Sequence, residues 1–307
     1  MGTTGRPRRT PPRYRAPLAL VLASVLWGTT GTAASLLPAN VSPLAVGSAT
    51  MGVGGALLFG SAIGPSVAAL RDGAARRWLL IGAIGVVVYP LAFYAAMDLA
   101  GVAIGNVVAL GSGPVFAAFF EWAWERRRPG RAWIICTLIA ILGIGLLALG
   151  GSFRNGRPAP GLIPGVALGL VAGTAYALYT YGSSRAIALG QPSRGVMGGM
   201  FGLGAIVLLP VLLATGQPLL LTPASVAISA YLAIGPMLVA YLLFGVALGS
   251  LRSSTTTTIT LIEPLVATVL AVVVVGERLA AVGWVGLALI LAGVTAMTAA
   301  RHPDERP

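Results

Sequence analysis

The sequence predicts an all-α integral membrane protein, with ten transmembrane helices arranged as two inverted five-helix repeats. Three observations carry this reading. Of 307 residues, 57% are hydrophobic and only 9% are charged, too few charges to coat a soluble core. The apolar residues fall in runs of about 20, the length at which a helix crosses a hydrocarbon core of about 30 Å. These runs form two sets of five that echo each other, clearest in Gly111–Glu121 (GSGPVFAAFFE) against Leu261–Ala271 (LIEPLVATVLA). Pro114 answers Pro264 and Ala117 answers Ala267, and each segment runs on to a Glu-Arg pair, Glu125-Arg126 and Glu277-Arg278. Five is odd, so the second set must enter the membrane from the opposite side.

The spans are expected at 17–36, 44–63, 78–97, 102–120, 132–150, 161–181, 196–214, 225–247, 255–275 and 280–299. A β-barrel would alternate apolar and polar residues in short strands, and these segments do not. The first span follows a tail with five arginines and carries Leu26-Trp27-Gly28; the second reads Ser48-Ala49-Thr50-Met51 at its centre. The third opens at Trp78 and contains Tyr89 and Tyr94; the fourth carries Asn106, Leu110, Gly113 and Pro114. Cys136, the single cysteine, lies in the fifth, where packing is its expected role and no intramolecular disulfide can form. The sixth has Gly161, Gly165, Gly169 and Gly173 on one stripe, a surface that lets two helix backbones approach. The seventh is uniformly apolar, and the eighth brings Tyr241 and Phe244. Thr256, Thr260, Glu263 and Pro264 lie in the ninth, and Trp284 lies near the start of the tenth. Four units follow: a disordered tail at 1–16, a first repeat at 17–150, a second at 161–299, and a tail at 300–307.

Charge gives the orientation. The chain has no lysine; with the N-terminus inside, alternate loops place seventeen arginines on the inner side and three (Arg154, Arg157, Arg278) on the outer. The positive-inside rule then puts both termini in the cytoplasm of a cell inner membrane. A net charge of +12 spread over such loops does not make a nucleic-acid face. The basic inner surface suits anionic lipid. An arginine-rich stretch before an apolar run also describes a signal peptide. Trp27-Gly28 recurs as Tyr176-Ala177, so the first helix is expected to stay with the fold.

Several chemistries drop out. Without lysine there is no Walker A motif and no Schiff base. His302 is the only histidine and sits in the polar tail, so no His/Cys metal set can assemble. Of eight acids, only Glu263 falls well inside a span, and one acid is not a catalytic cluster. No cofactor and no enzyme activity are expected.

The repeats locate a candidate site. At an offset of 150, Asn106 answers Thr256, Leu110 answers Thr260 and Gly113 answers Glu263; positions i, i+4 and i+7 share one helical face. A proline follows each face and frees a carbonyl one turn earlier. Trp27 and Thr30 answer Tyr176 and Tyr179, and Tyr94 answers Phe244, with Tyr89 and Tyr241 nearby. The candidate substrate-binding residues are therefore Trp27, Thr30, Tyr89, Tyr94, Asn106, Tyr176, Tyr179, Tyr241, Thr256, Thr260 and Glu263. For each aromatic the alternative is an anchor at the membrane surface, the role assigned to Trp78, Trp122, Trp124, Trp133 and Trp284. For Glu263 the alternative is structural, satisfying groups freed by Pro264 or pairing with Thr256 and Thr260.

On Leu26-Trp27-Gly28, Pro114 with Glu125-Arg126, and Glu263-Pro264 with Gly276-Glu277-Arg278, the chain resembles EamA-type members of the drug/metabolite transporter superfamily. The resemblance covers about 17–299. It implies ten helices, cytoplasmic termini, and passage of small metabolites, commonly outward and without ATP; similar proteins export amino acids and related compounds. Many relatives carry an arginine in the second span, where this chain has Ser48-Ala49-Thr50-Met51. The expected function is a secondary transporter exporting a small amphipathic metabolite, with proton coupling through Glu263. The alternatives are a channel or facilitator, a membrane-embedded enzyme, or a scaffold that transports nothing. The expected partners are a small-molecule substrate and the lipid bilayer, with a homodimer left open.

Overall fold

The computed structural model describes residues 15–126, 131–150, 152–154, 157–158, 161–248, 260 and 262–300. Thr256, His302, Arg127, Arg128 and both terminal tails lie outside the described residues, as do the side chains of Pro114, Trp133 and Cys136.

The first apolar run forms α1 (Arg15–Gly28) and α2 (Thr30–Ser35), meeting at Thr29. The second runs through α3 (Pro43–Ser48), a π turn at Ala49–Val53 and α4 (Gly54–Gly60). Ser42 caps α3, its hydroxyl accepting from the Ala45 N–H, with Pro43 in the first turn. A separate helix α5 (Ile63–Arg71) follows, in a stretch between two expected spans. Then come α6 (Gly73–Ala100), α7 (Val102–Glu125), α8 (Arg131–Gly150), α9 (Leu162–Ala188) and α10 (Ser193–Thr215). The eighth run is α11 (Pro223–Leu232), a π turn at Ala233–Val239 and α12 (Ala240–Leu248). Last are α13 (Ile262–Leu270), a π turn at Ala271–Val275, and α14 (Ala281–Ala300).

Among the described residues seven helical stretches are long and apolar enough to cross a membrane, so the chain is a multi-pass membrane protein. Its surface agrees. Leu213 is 86% exposed and Ile163 82%, a disposition that suits lipid and not water. Several helices outrun the sequence reading: α6 has 28 residues, roughly 42 Å at 1.5 Å per residue. Polar residues at its start continue the helix into the headgroup region, which a hydropathy window does not register.

Glycine sets how closely the helices pack. The stripe on α9 faces α6 and α7: a Cβ at Gly165 would lie 2.6 Å from the Ala100 methyl, and one at Gly173 would lie 2.7 Å from the Ala109 carbonyl oxygen. On α6, a Cβ at Gly85 would meet the carbonyl oxygen of Ala175. These contacts leave no space for any side chain, which supports the packing reading of the stripe.

The helical fold carries one small addition. Strands β1 (Ser152–Arg154), β2 (Arg157–Pro158) and β3 (Glu277–Leu279) form a small antiparallel sheet in the order β2-β1-β3. Two- and three-residue strands lie below the length at which alternation can be read. The sheet gathers Arg154, Arg157 and Arg278, the three arginines assigned to the outer side, at one end of the molecule.

Candidate functional site

Both halves of the chain surround one cavity of about 210 Å³. From the first half come Trp27 on α1, Thr30 on α2, Thr50 and Met51 on the first π turn, and Leu110 on α7. Helix α6 contributes Tyr89, Pro90, Phe93 and Tyr94. From the second half come Tyr176, Tyr179 and Thr180 on α9, Met197 on α10, and Pro236 and Met237 on the second π turn. Tyr241 and Phe244 on α12, with Thr260 and Glu263, complete the lining.

The rings form a continuous wall. Trp27 meets Tyr241 edge-on at 5.3 Å between centroids, Tyr241 meets Phe201 at 5.0 Å, and Phe201 meets Tyr179 at 5.6 Å. Tyr176 follows at 5.2 Å, then Tyr89 at 5.9 Å, Phe93 at 5.1 Å and Tyr94 at 5.6 Å. Four of these contacts are edge-to-face, a geometry that adds about 0.5–1.5 kcal/mol each beyond burial. The polar edges of the wall are bonded too. The indole Nε1 of Trp27 donates to the Pro236 carbonyl at 2.8 Å, and the hydroxyls of Tyr179 and Tyr241 share a hydrogen bond at 3.2 Å.

Two glycines explain how the helices bring these groups together. A Cβ at Gly28 would lie 2.9 Å from the Glu263 carbonyl oxygen, so Gly28 lets α13 cross α1 closely and puts Trp27 and Glu263 on the same cavity. At the corresponding crossing, a Cβ at Gly113 would lie 2.7 Å from the Tyr176 ring. Gly113 thus makes room for an aromatic ring at the position answering Glu263. Glu263 stands in the first turn of α13, and among the described residues no hydrogen bond reaches its carboxyl.

Of the predicted site residues, Trp27, Thr30, Tyr89, Tyr94, Tyr176, Tyr179, Tyr241, Thr260 and Glu263 line the cavity. Asn106 does not. It is fully buried one turn before Leu110, and Val102–Ala109 are nearly all enclosed by protein, so this part of α7 has no open face. Both side-chain amide atoms of Asn106 lack a partner among the described residues. Sequence reasoning missed Phe93 and the lining methionines Met51, Met197 and Met237, whose apolar side chains carry no signal against a lipid-facing background. Thr50, singled out in the sequence only as the place where relatives carry arginine and not as a binding residue, also lines the cavity.

The Trp78 assignment also changes. Trp78 is 7% exposed, enclosed by Tyr181 and Trp124 and flanked by the guanidinium carbons of Arg77 and Arg185 at 5.2 and 5.5 Å. Arg185 in turn pairs with Glu125 at 3.0 Å, and Tyr181 donates to the same carboxylate oxygen at 3.1 Å. Trp122, Trp124 and Trp284 remain about half exposed. No group of His, Cys, Asp and Glu able to hold a metal occurs among the described residues.

Comparison with known proteins agrees with this architecture. The chain is 33% identical over 287 residues to the uncharacterized transporter YwfM of Bacillus subtilis strain 168, covering 92% of this chain and 93% of that one. An uncharacterized transporter of Clostridium kluyveri is 26% identical over 168 residues, about half of each chain. One crystal structure of a protein superposes with a TM-score of 0.64 at 22% identity, covering 96% of this chain and 100% of its own. The profile of the EamA-like transporter family matches twice, over residues 15–149 and again over 163–299. The chain therefore belongs to the EamA-like transporter family.

Proposed function

We propose that the protein is a secondary transporter that exports a small amphipathic metabolite, an amino acid or related amine, through the aromatic cavity. In this reading ten spans form two inverted repeats of five, at 17–150 and 161–299, with both termini in the cytoplasm of the inner membrane. The two halves rock about the cavity they share, exposing it to each side in turn. The observation that carries the reading is Glu263, an acid set into an aromatic cavity built from both halves. A chargeable side chain at membrane depth costs about 2.5–3.5 kcal/mol on insertion scales, a cost that a substrate or proton site justifies.

Glu263 also supplies a coupling device, taking a proton and a cationic group in alternation. An inward proton gains about 2.3 kcal/mol per 100 mV of membrane potential, enough to concentrate a solute some tens of times at 1:1 stoichiometry. The test is counterflow in proteoliposomes, using the solute that most raises the thermal stability of the purified protein in a panel of amino acids and amines. A transient overshoot of tracer is expected. Simple equilibration without trans-stimulation indicates a channel, and no uptake above protein-free liposomes rejects transport of that solute. Glu263→Gln should preserve counterflow at saturating solute and abolish the response to an imposed pH gradient.

A further inference from the structure

We propose that the protein holds one anionic phospholipid at the Trp78 cluster, with its phosphate on Arg77 and Arg185 and an acyl chain along an exposed face of α6. This site lies outside the central cavity. It exists whether or not the protein transports, and whichever side of the membrane this end of the molecule faces.

Three helices build the headgroup end. Trp78, near the start of α6, is enclosed by Trp124 on α7 and Tyr181 on α9, and the guanidinium carbons of Arg77 and Arg185 stand 5.2 and 5.5 Å from the centre of its ring. A shared ring brings two like charges together, and an anion reaching both relieves their repulsion. Among the described residues Arg185 meets Glu125 through Nη1 alone, at 3.0 Å, which leaves most of its N–H donors for another acceptor. Arg77 is exposed and has no ion pair among the described residues. The helix ends gathered here carry Arg76, Arg77, Arg126, Arg131 and Arg185 against Asp72, Glu121 and Glu125, so positive charge is in excess. A guanidinium fork matches the paired oxygens of a phosphate.

Helix α6 supplies the chain end. Arg77, Leu80, Ile84 and Val88 follow i, i+3, i+7 and i+11, share one helical face and are all exposed. At 1.5 Å per residue that face runs about 16 Å, close to one leaflet of a hydrocarbon core about 30 Å thick. It puts an arginine at headgroup depth with apolar side chains beneath it, in the order of the parts of a phospholipid. Trp124 marks the junction. One face of its ring stacks on Tyr181 at 5.5 Å and 14°, yet the residue stays 49% exposed, an indole placement that suits the lipid–water boundary. A soluble phosphate would use the arginines and leave the apolar face idle; that face assigns the ligand to lipid.

The excess of arginine sets the headgroup preference. Phosphatidylcholine brings the same phosphate and chains but adds a cation that the arginines repel, whereas phosphatidylglycerol adds none. Arg76 is equally exposed but lies about 100° around the helix from Arg77, off the apolar face. It therefore serves as an internal reference for charge alone.

The test is native mass spectrometry of the full-length purified protein in a neutral detergent. It is titrated with phosphatidylglycerol, with phosphatidylcholine of the same chains, and with glycerol 3-phosphate as the soluble anion. One phosphatidylglycerol should bind about fivefold or more tightly than phosphatidylcholine, and an excess of glycerol 3-phosphate should not displace it. Arg77→Gln should weaken phosphatidylglycerol about fivefold, the effect of one arginine beside an anionic lipid, while Arg76→Gln, losing the same charge, should leave it unchanged. Ile84→Asn, away from the aromatic cluster, should also weaken it and decides the matter if the Arg77 variant does not fold. Equal binding of the two lipids, equal losses in the Arg76 and Arg77 variants, no loss in the Ile84 variant, or no bound lipid would each overturn the proposal. Displacement by glycerol 3-phosphate would overturn it in favour of a soluble-anion site.

Discussion

The carboxylate of Glu277 accepts the backbone N–H groups of Val102 and Ala103, 175 and 174 residues earlier, the latter at 3.0 Å. Helix α7 begins after Gly101, which has no side chain to cap it, and the first N–H groups of a helix need acceptors. Glu277, 2% exposed, meets that need from the other half of the protein, and its negative charge suits the helix N-terminus. Glu277→Ala should therefore lower stability by about 2–4 kcal/mol, since two buried donors lose a charged acceptor. Glu277→Gln, retaining one acceptor, should lose less. Thermal unfolding in detergent measures both, and an Ala variant as stable as the parent contradicts this role.

Trp27 ties α1 to the second π turn through its indole N–H and the Pro236 carbonyl. The bond joins the first half of the chain to the second, across 209 residues. Trp27→Phe keeps a ring against Tyr241 and Phe244 but removes the donor, with an expected loss of about 1 kcal/mol. Trp27→Ala also removes the two ring contacts and should cost clearly more. A Trp27→Phe protein that melts with the parent would show that the N–H contributes nothing.

Asp72 gives a pH signature. Its carboxylate accepts from the N–H of Ala74 and Ala75 at the start of α6 and from the side chain of Gln191 at 2.7 Å. These bonds favour the charged form, the two backbone bonds most, and hold its pKa below the usual carboxylate value. Its contribution is complete at neutral pH and is lost as pH falls through the lowered folded-state value. The melting temperature should fall on acidification, and Asp72→Asn should flatten that part of the profile. An unchanged acid limb in the variant would assign it to other groups.

Much of this was legible in the sequence, for physical reasons that also mark its limits. The membrane class follows from the uninterrupted apolar runs, and the echo between the halves agrees with the family profile matching twice. What escaped depends on contacts between distant segments. The cap that Glu277 provides for α7 cannot be read locally, because Gly101 and Glu277 each look unremarkable alone. Asn106 misled because helical periodicity places it beside Leu110 without showing that this part of α7 is enclosed. Trp78 has the sequence position of a surface anchor, and only the packing of Tyr181 and Trp124 reveals it as buried.

Orientation is open to a direct check. In a Cys136→Ala background, a cysteine replacing Arg157 should react with a membrane-impermeant thiol reagent added to whole cells. One replacing the exposed Arg194 should react only after permeabilisation. The reverse pattern would invert the topology and place the three-arginine sheet in the cytoplasm.

Alternating exposure of the shared cavity is the centre of the account, and Thr180 reports on it. This residue lines the cavity yet is exposed within its own helix. Thr180→Cys in the Cys136→Ala background is to be labelled with an impermeant thiol reagent in right-side-out and, separately, inside-out membrane vesicles. Labelling from both faces is the predicted result if, as proposed, the cavity opens to each side in turn. Labelling from one face alone, at any time of exposure, would contradict the account and leave a one-sided binding pocket.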